Sequence, residues 1–168
     1  MLRGIAFMIP NEYGFILNAL FKVISAEQYL WHFTGWMIEG GLQTDRFESM
    51  EWCDGENLLA LTAQKPEYYP IDMTWAAFDP TEERVREDSF PFDSYKAYYN
   101  SSVRLYLEIV DAEFVRFYAK DAALVEKMLL FCQENRYSDM VRITEENDTF
   151  WPECYRKPRK DKGTVPLP

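Results

Sequence analysis

The side chains in this sequence that could do chemistry begin with a single histidine. His32 lies between Trp31 and Phe33 in a stretch typical of a β-strand. An imidazole, with an unperturbed pKa of about 6.5, can act as a general base when a carboxylate orients it. His32 is therefore a candidate catalytic residue. Because it is the only histidine, it cannot form a metal site with a second histidine. The alternative interpretation is a hydrogen-bonded or partly exposed histidine of a sheet.

Three cysteines are present, and none has the surroundings of an activated nucleophile. Cys53 is flanked by Glu51 and Asp54, and nearby anions disfavour the reactive thiolate. Cys132 belongs to an apolar helical stripe, whereas Cys154 lies near the C-terminus, where we expect the most exposed thiol. An odd count without CxxC spacing fits neither a disulfide framework nor a zinc ribbon. A reducing cytoplasm is the simplest interpretation.

Several acids and tyrosines suggest a contact surface. Carboxylates between residues 48 and 56 could hold a hard cation, but Asp54-Gly55-Glu56 lacks the ligand spacing of a calcium loop. Tyrosines at a desolvated surface anchor protein contacts, and acids around them favour the approach of a cationic protein. The predicted partner-binding residues are Glu48, Glu51, Asp54, Glu56, Tyr95, Tyr98 and Tyr99. A solvated acidic face, with the tyrosines packed in a core, is the alternative.

Composition limits the classes of protein that fit. The 168 residues are 48% hydrophobic and 17% aromatic, which suffices for one compact domain. Acids outnumber bases 28 to 18, so most of the surface would repel nucleic acids and anionic membranes. The sequence contains none of the motifs that bind nucleotide phosphates, dinucleotides or a protease zinc ion, so it indicates no cofactor. The motif that surrounds the nucleophilic serine of many hydrolases is also absent. With neither a signal peptide nor a long apolar segment, we expect a soluble cytoplasmic protein.

The hydrophobic pattern predicts alternating strands and helices. A first strand runs from Leu2 to Ile9 and stops at Pro10. Asn11 is predicted to cap a helix with an apolar stripe at 15, 16, 19, 20 and 23. The later predictions are strands over 28–34, 36–38, 68–78 and 140–144, and helices over 57–64 and from Asp121 to about Asn135. Residues 80–91 are predicted to form a loop or an exposed helical turn.

The clearest pattern is a β-hairpin between Val103 and Ala119. Apolar residues alternate with polar or aromatic ones on both sides of Asp111-Ala112-Glu113, which indicates a three-residue loop. Pairing Val110 with Phe114 places Glu108 opposite Arg116 and Tyr106 opposite Tyr118. Each of these pairs is favourable, so this is the predicted register.

The order of elements predicts an α+β fold, with a mainly antiparallel sheet, helices on one face and a single domain over residues 1–155. Residues 156–168 form a basic, proline-containing tail with five basic residues and one acid. The remaining 13 bases and 27 acids give residues 1–155 a net charge of −14. The tail is expected to be extended and solvated, or to dock on its own domain, a neighbouring subunit or a nucleic acid.

Two stretches resemble a small uncharacterised family of Bacillus-type bacteria. They are the opening segment from Arg3 to Gly14, and Tyr68-Tyr69 through Trp75-Ala76-Ala77-Phe78. The resemblance covers mainly the first half of the chain, and its motifs are structural. It implies a bacterial cytoplasmic protein containing a domain of unknown function, and it assigns no catalytic residue.

These observations favour a non-enzymatic cytoplasmic binding protein, of regulatory or immunity type, that holds a cationic protein on an acidic, aromatic-rich surface. The alternative is a small hydrolase or transferase that uses His32 with a nearby carboxylate. A homo-oligomeric structural subunit is a third possibility.

Overall fold

The computed structural model describes residues 1–40, 52–81 and 92–149 and shows a seven-stranded antiparallel sheet. The strands are β1 Leu2–Met8, β2 Leu30–Gly40, β3 Trp52–Asp54, β4 Tyr68–Phe78, β5 Leu105–Val110, β6 Phe114–Ala119 and β7 Ser138–Thr144. The helices are α1 Ile16–Val23, α2 Gly55–Thr62, α3 Tyr95–Asn100 and α4 Ala122–Glu134, with a 3-10 helix at Ala26–Gln28. The strand order is β3-β2-β4-β5-β6-β1-β7. The predicted single-domain α+β fold is confirmed, while its predicted boundary at residue 155 lies outside the described residues.

Alternate residues of β1, β4, β5 and β6 fill two separate cores. In β1, Ile5 and Phe7 point to the larger core, which α1, α2 and α4 cover. Ala6 points to the opposite face, where α3 packs over a smaller core rich in tyrosine. The three longer helices therefore share one face, and the short helix α3 covers the other.

The most buried face of helix α1 is rotated from the predicted stripe and shares Leu20 with it. Its buried residues include Leu17, Leu20 and Phe21, whereas Phe15 and Ile16 are only partly buried. Apolar residues surround most of this helix, so the sequence alone does not determine which stripe faces inward. The predicted cap is also wrong: Phe15 precedes the helix, and the Asn11 side chain accepts a hydrogen bond from the Tyr69 hydroxyl.

The β5–β6 hairpin confirms the predicted register. Val110 pairs with Phe114, and Tyr106 pairs with Tyr118. Glu108 and Arg116 face each other and form an ion pair. A shift of one residue would move every apolar side chain to the wrong face, so the alternation fixes this pairing.

Other element boundaries differ from the sequence predictions. Helix α2 begins two residues early because Asp54 caps it and accepts a hydrogen bond from the Asn57 backbone N–H at 2.8 Å. Gln28 belongs to the 3-10 helix rather than a strand, and α3 was not predicted. Helix α4 follows its predicted cap, Asp121. Most of the predicted 80–91 loop, residues 82–91, lies outside the described residues.

A buried polar junction joins α1, α2 and β4. The Asn18 amide donates to the Leu59 carbonyl at 2.9 Å and to the Thr62 hydroxyl at 3.2 Å. The Tyr68 hydroxyl donates to the Thr62 carbonyl at 2.9 Å and accepts from the Asn18 backbone N–H at 3.2 Å. These bonds satisfy polar groups that would otherwise be buried without partners.

Replacing Tyr68 by phenylalanine is expected to lower the free energy of unfolding by about 1–3 kcal/mol, because the buried Thr62 carbonyl loses a donor. Urea denaturation measures this change. Tyr99→Phe is the matched control, since Tyr99 is 48% exposed and its change should stay within about 0.5 kcal/mol. Equal effects of the two variants would contradict a stabilising role for the junction.

Candidate functional site

His32 lies on β2 directly opposite Trp52 of β3. The two rings have centroids 4.5 Å apart and are tilted by 43°, and His32 is partly buried. Cavities of 390, 340 and 220 Å³ are lined by other residues. The described contact is that of a sheet histidine packed on an aromatic ring, and a catalytic role for His32 stays a prediction.

The two described cysteines are buried. Cys53 is 5% exposed and Cys132 is fully enclosed by the larger core. Burial raises the pKa of the Cys53 thiol to about 11, with a smaller contribution from Asp54. Burial also raises the pKa of Cys132 to about 12. Both thiols are therefore protonated at neutral pH, which is unsuited to nucleophilic chemistry.

In a Cys154→Ser variant of the folded protein, iodoacetamide is expected to leave Cys53 and Cys132 unmodified at about pH 8, because neither thiol is ionised or accessible. Labelling should accelerate as the pH approaches 11. Mass spectrometry measures the modification, and the same variant unfolded in urea should react at both positions. Fast labelling of the folded protein would contradict the burial of these thiols. Cys154 itself lies outside the described residues.

The predicted acidic group is described only in part. Asp54 and Glu56 are exposed, and Glu48 and Glu51 lie outside the described residues. The Asp54 carboxylate also accepts a hydrogen bond from the Asn57 side chain at 2.6 Å, so its local role is to begin α2. Within the described ranges, no three His, Cys, Asp or Glu residues are grouped to hold a metal ion. The four acids remain a predicted contact surface.

The three predicted contact tyrosines occupy different environments. Tyr98 is fully buried in the smaller core, and its hydroxyl donates to the Arg104 carbonyl at 2.9 Å. Tyr95 is partly buried and lies under the Arg3 guanidinium, 4.1 Å from the ring centroid. Tyr99 is 48% exposed. In this structure, Tyr98 therefore cannot touch a partner, whereas Tyr99 and part of Tyr95 can.

A second group of tyrosines, not predicted from the sequence, lies at the end of the sheet away from Tyr95 and Tyr99. It is a pair of stacked rings bordered by a glutamate. The rings of Tyr13 and Tyr69 stack with centroids 5.4 Å apart at 29°, and Tyr13 is 49% exposed. Glu39 faces Tyr69 across the β2–β4 pairing. We call Tyr13, Tyr69 and Glu39 the Tyr13 surface.

Backbone contacts hold the Tyr13 surface in place. Gly14 and Tyr68 exchange two backbone hydrogen bonds, of 3.0 and 3.2 Å, which fix the residues next to each tyrosine. The Tyr69 hydroxyl is held by Asn11. The chain itself therefore positions the two rings.

The electrostatic environment of the Tyr13 surface is acidic. The pKa of the Tyr13 hydroxyl is raised, first by lost hydration and then by the negative charge of the Glu39 carboxylate. Glu12 and Tyr13 also line the 220 Å³ cavity beside α1. Ring faces and carboxylates both attract cations, so the arrangement suits a lysine or arginine side chain.

No local signal in the sequence could have revealed this surface. Tyr13 follows β1, Glu39 lies near the end of β2 and Tyr69 near the start of β4. Their proximity therefore depends on the strand order and on the Gly14–Tyr68 bridge. Patterns within each segment predict strands and do not predict how those strands are arranged.

The fold and site define an antiparallel α+β domain with an exposed, acid-bordered tyrosine pair. The chain belongs to the family described as "Protein of unknown function (DUF2691)", which matches residues 2–150. It is 29% identical over 153 residues to "Uncharacterized protein YncE" of Bacillus subtilis (strain 168), covering 89% of this chain and 96% of that protein. No solved structure matches. The resemblance to a Bacillus-type family is confirmed.

The described helices are all too short or too polar to cross a membrane.

Proposed function

We propose that this protein is a non-enzymatic binding module whose acidic, aromatic surface holds a cationic protein. The observation that carries the proposal is the stacked pair of Tyr13 and Tyr69, half exposed at Tyr13 and bordered by Glu39. As the sequence analysis suggested, we place this binding protein in the regulatory or immunity class.

The geometry supports a particular mode of contact. A lysine ammonium or arginine guanidinium of the partner lies against the exposed face of Tyr13 and pairs with Glu39. Such a cation–ring contact contributes about 0.5–1 kcal/mol at an exposed site and about 2 kcal/mol when water is excluded. One contact is too weak to hold a protein, so the wider negative field of the domain guides and completes the association.

The test is capture from a lysate of the source organism with tagged full-length protein, washed at low and then moderate salt, with bound proteins identified by mass spectrometry. We expect a stoichiometric basic partner whose retention falls with salt, because screening weakens contacts between exposed charges. The purified partner is then titrated against Tyr13→Ala and Glu39→Lys. Charge reversal at Glu39 should weaken binding more than about tenfold, since like charges would meet.

Matched controls come from the other predicted contact residues. Tyr99→Ala removes a tyrosine of almost equal exposure, and Glu56→Lys reverses an exposed acid on α2. Unchanged binding in these controls assigns the contact to the Tyr13 surface. If only Glu56→Lys weakens binding, the partner uses the acids near α2 instead. Failure to retain any basic partner at low salt would overturn the proposal.

A further inference from the structure

A cavity of 390 Å³ lies at the opposite end of the sheet from the Tyr13 surface. Its walls are the end of β4, the start of β5, the end of β6, the start of α4 and the 3-10 helix. Binding sites for small metabolites usually occupy about 300–1,000 Å³, so this cavity falls in the lower part of that range.

The lining of this cavity carries both signs of charge. Asp79 and Asp121 supply carboxylates, and Arg104 supplies a guanidinium. The Lys120 ammonium is directed elsewhere, since it donates to the Ser101 carbonyl and lies 5.8 Å from the Tyr98 ring centroid. Asp79 follows β4, Arg104 precedes β5 and Asp121 caps α4, so one cavity carries both signs of charge, which suits a ligand that is itself dipolar.

Each carboxylate uses one oxygen in its local structure. Asp79 Oδ1 accepts from the Thr81 backbone N–H at 3.0 Å and from the Thr81 hydroxyl at 2.6 Å. Asp121 Oδ1 accepts from the Ala123 backbone N–H at 2.9 Å, which caps α4. These bonds fix both carboxylate groups and involve neither Oδ2 atom.

Tyr29 lines the same cavity as these charged groups. Its hydroxyl has a raised pKa, caused first by burial and then by Asp121, while Arg104 acts in the opposite sense and Asp79 adds to the increase. Leu105 and Leu124 form an apolar wall beside them.

We propose that this cavity binds a free α-amino acid with an apolar side chain. The ligand ammonium lies between the carboxylates of Asp79 and Asp121, and its carboxylate pairs with Arg104. Its side chain packs against Leu105, Leu124 and the Tyr29 ring. This site is independent of the Tyr13 surface, at the other end of the sheet.

The test is calorimetric titration of the full chain with leucine, isoleucine, valine and methionine. We expect saturable binding of at least one of them. Two analogues of leucine isolate each charge: isoamylamine lacks the carboxylate, and 4-methylpentanoate lacks the amine. Both should bind at least tenfold more weakly than leucine. Absence of binding by all four amino acids, or binding of isoamylamine as tight as that of leucine, would overturn the proposal.

Conservative variants separate a binding role from a folding role. Asp121→Asn keeps an equally good helix cap, and Asp79→Asn keeps a turn-forming side chain, while each removes one charge. Both should weaken amino-acid binding at least tenfold with little change in melting temperature, and Arg104→Gln should do the same. Glu134→Gln removes an exposed charge at the far end of α4 and should leave binding unchanged. Unaltered affinity in Asp79→Asn and Asp121→Asn would exclude the assigned carboxylates.

Discussion

Replacing Gly55 by alanine is expected to lower the free energy of unfolding by about 3 kcal/mol or more. A Cβ atom at Gly55 would lie 1.7 Å from the Ala26 carbonyl oxygen and 2.7 Å from the Glu27 nitrogen. Both are backbone atoms, so no side-chain rotation relieves the clash. The same carbonyl accepts a hydrogen bond from the Trp31 indole at 3.0 Å, so displacing it would also disturb a fully buried ring.

The matched control for this variant is Gly14→Ala. A Cβ atom at Gly14 would meet no atom within 4 Å, so that change should stay within about 0.5 kcal/mol of the native protein. Urea denaturation followed by circular dichroism measures both variants. Similar stability of the two would mean that α2 can move away from the 3-10 helix at little cost, contrary to the close packing described here.

Local patterns were sufficient to predict the elements whose partner is adjacent in the chain. The β5–β6 register was predictable because alternation determines which face each residue occupies, and a three-residue loop allows few pairings. The start of α4 was predictable for a similar reason, since Asp121 supplies its own capping bond. In both cases the determining interactions lie within a few residues.

Features that depend on distant segments were not predictable in the same way. Helix α1 is apolar on several sides, and the position of the sheet decides that Leu17 and Phe21 face inward. The Tyr13 surface combines three residues from separate segments, so it follows from the strand order rather than from any motif. Tertiary packing here chooses among alternatives that local propensity leaves open.

Much of the tyrosine excess has the explanation that the sequence offered as the alternative to a contact surface, namely packing in a core. Tyr98, Tyr106 and Tyr118 belong to the smaller core, where large rings fill the space between the sheet and the short helix α3. The Tyr118 hydroxyl donates to Asp148 at 2.9 Å, and Arg3 bonds the same carboxylate at 3.2 Å. Buried tyrosines need such partners for their hydroxyls, so several of these residues serve folding rather than association.

Replacing Phe21 by alanine is expected to lower the free energy of unfolding by about 3–5 kcal/mol. Phe21 is fully buried, and its ring centroid lies 5.1 Å from that of Trp31 and 4.8 Å from that of Trp75. Removing the ring leaves a cavity between two large aromatic side chains that cannot collapse without moving two strands. Leu130→Ala is the control, because it also truncates an apolar side chain but at a position that is 57% exposed. It should change the free energy of unfolding by less than about 0.5 kcal/mol. Coinciding midpoints of urea denaturation for the two variants would mean that Phe21 does not pack between the tryptophans. The face of α1 that meets the sheet would then be the one centred on Phe15 and Ile16.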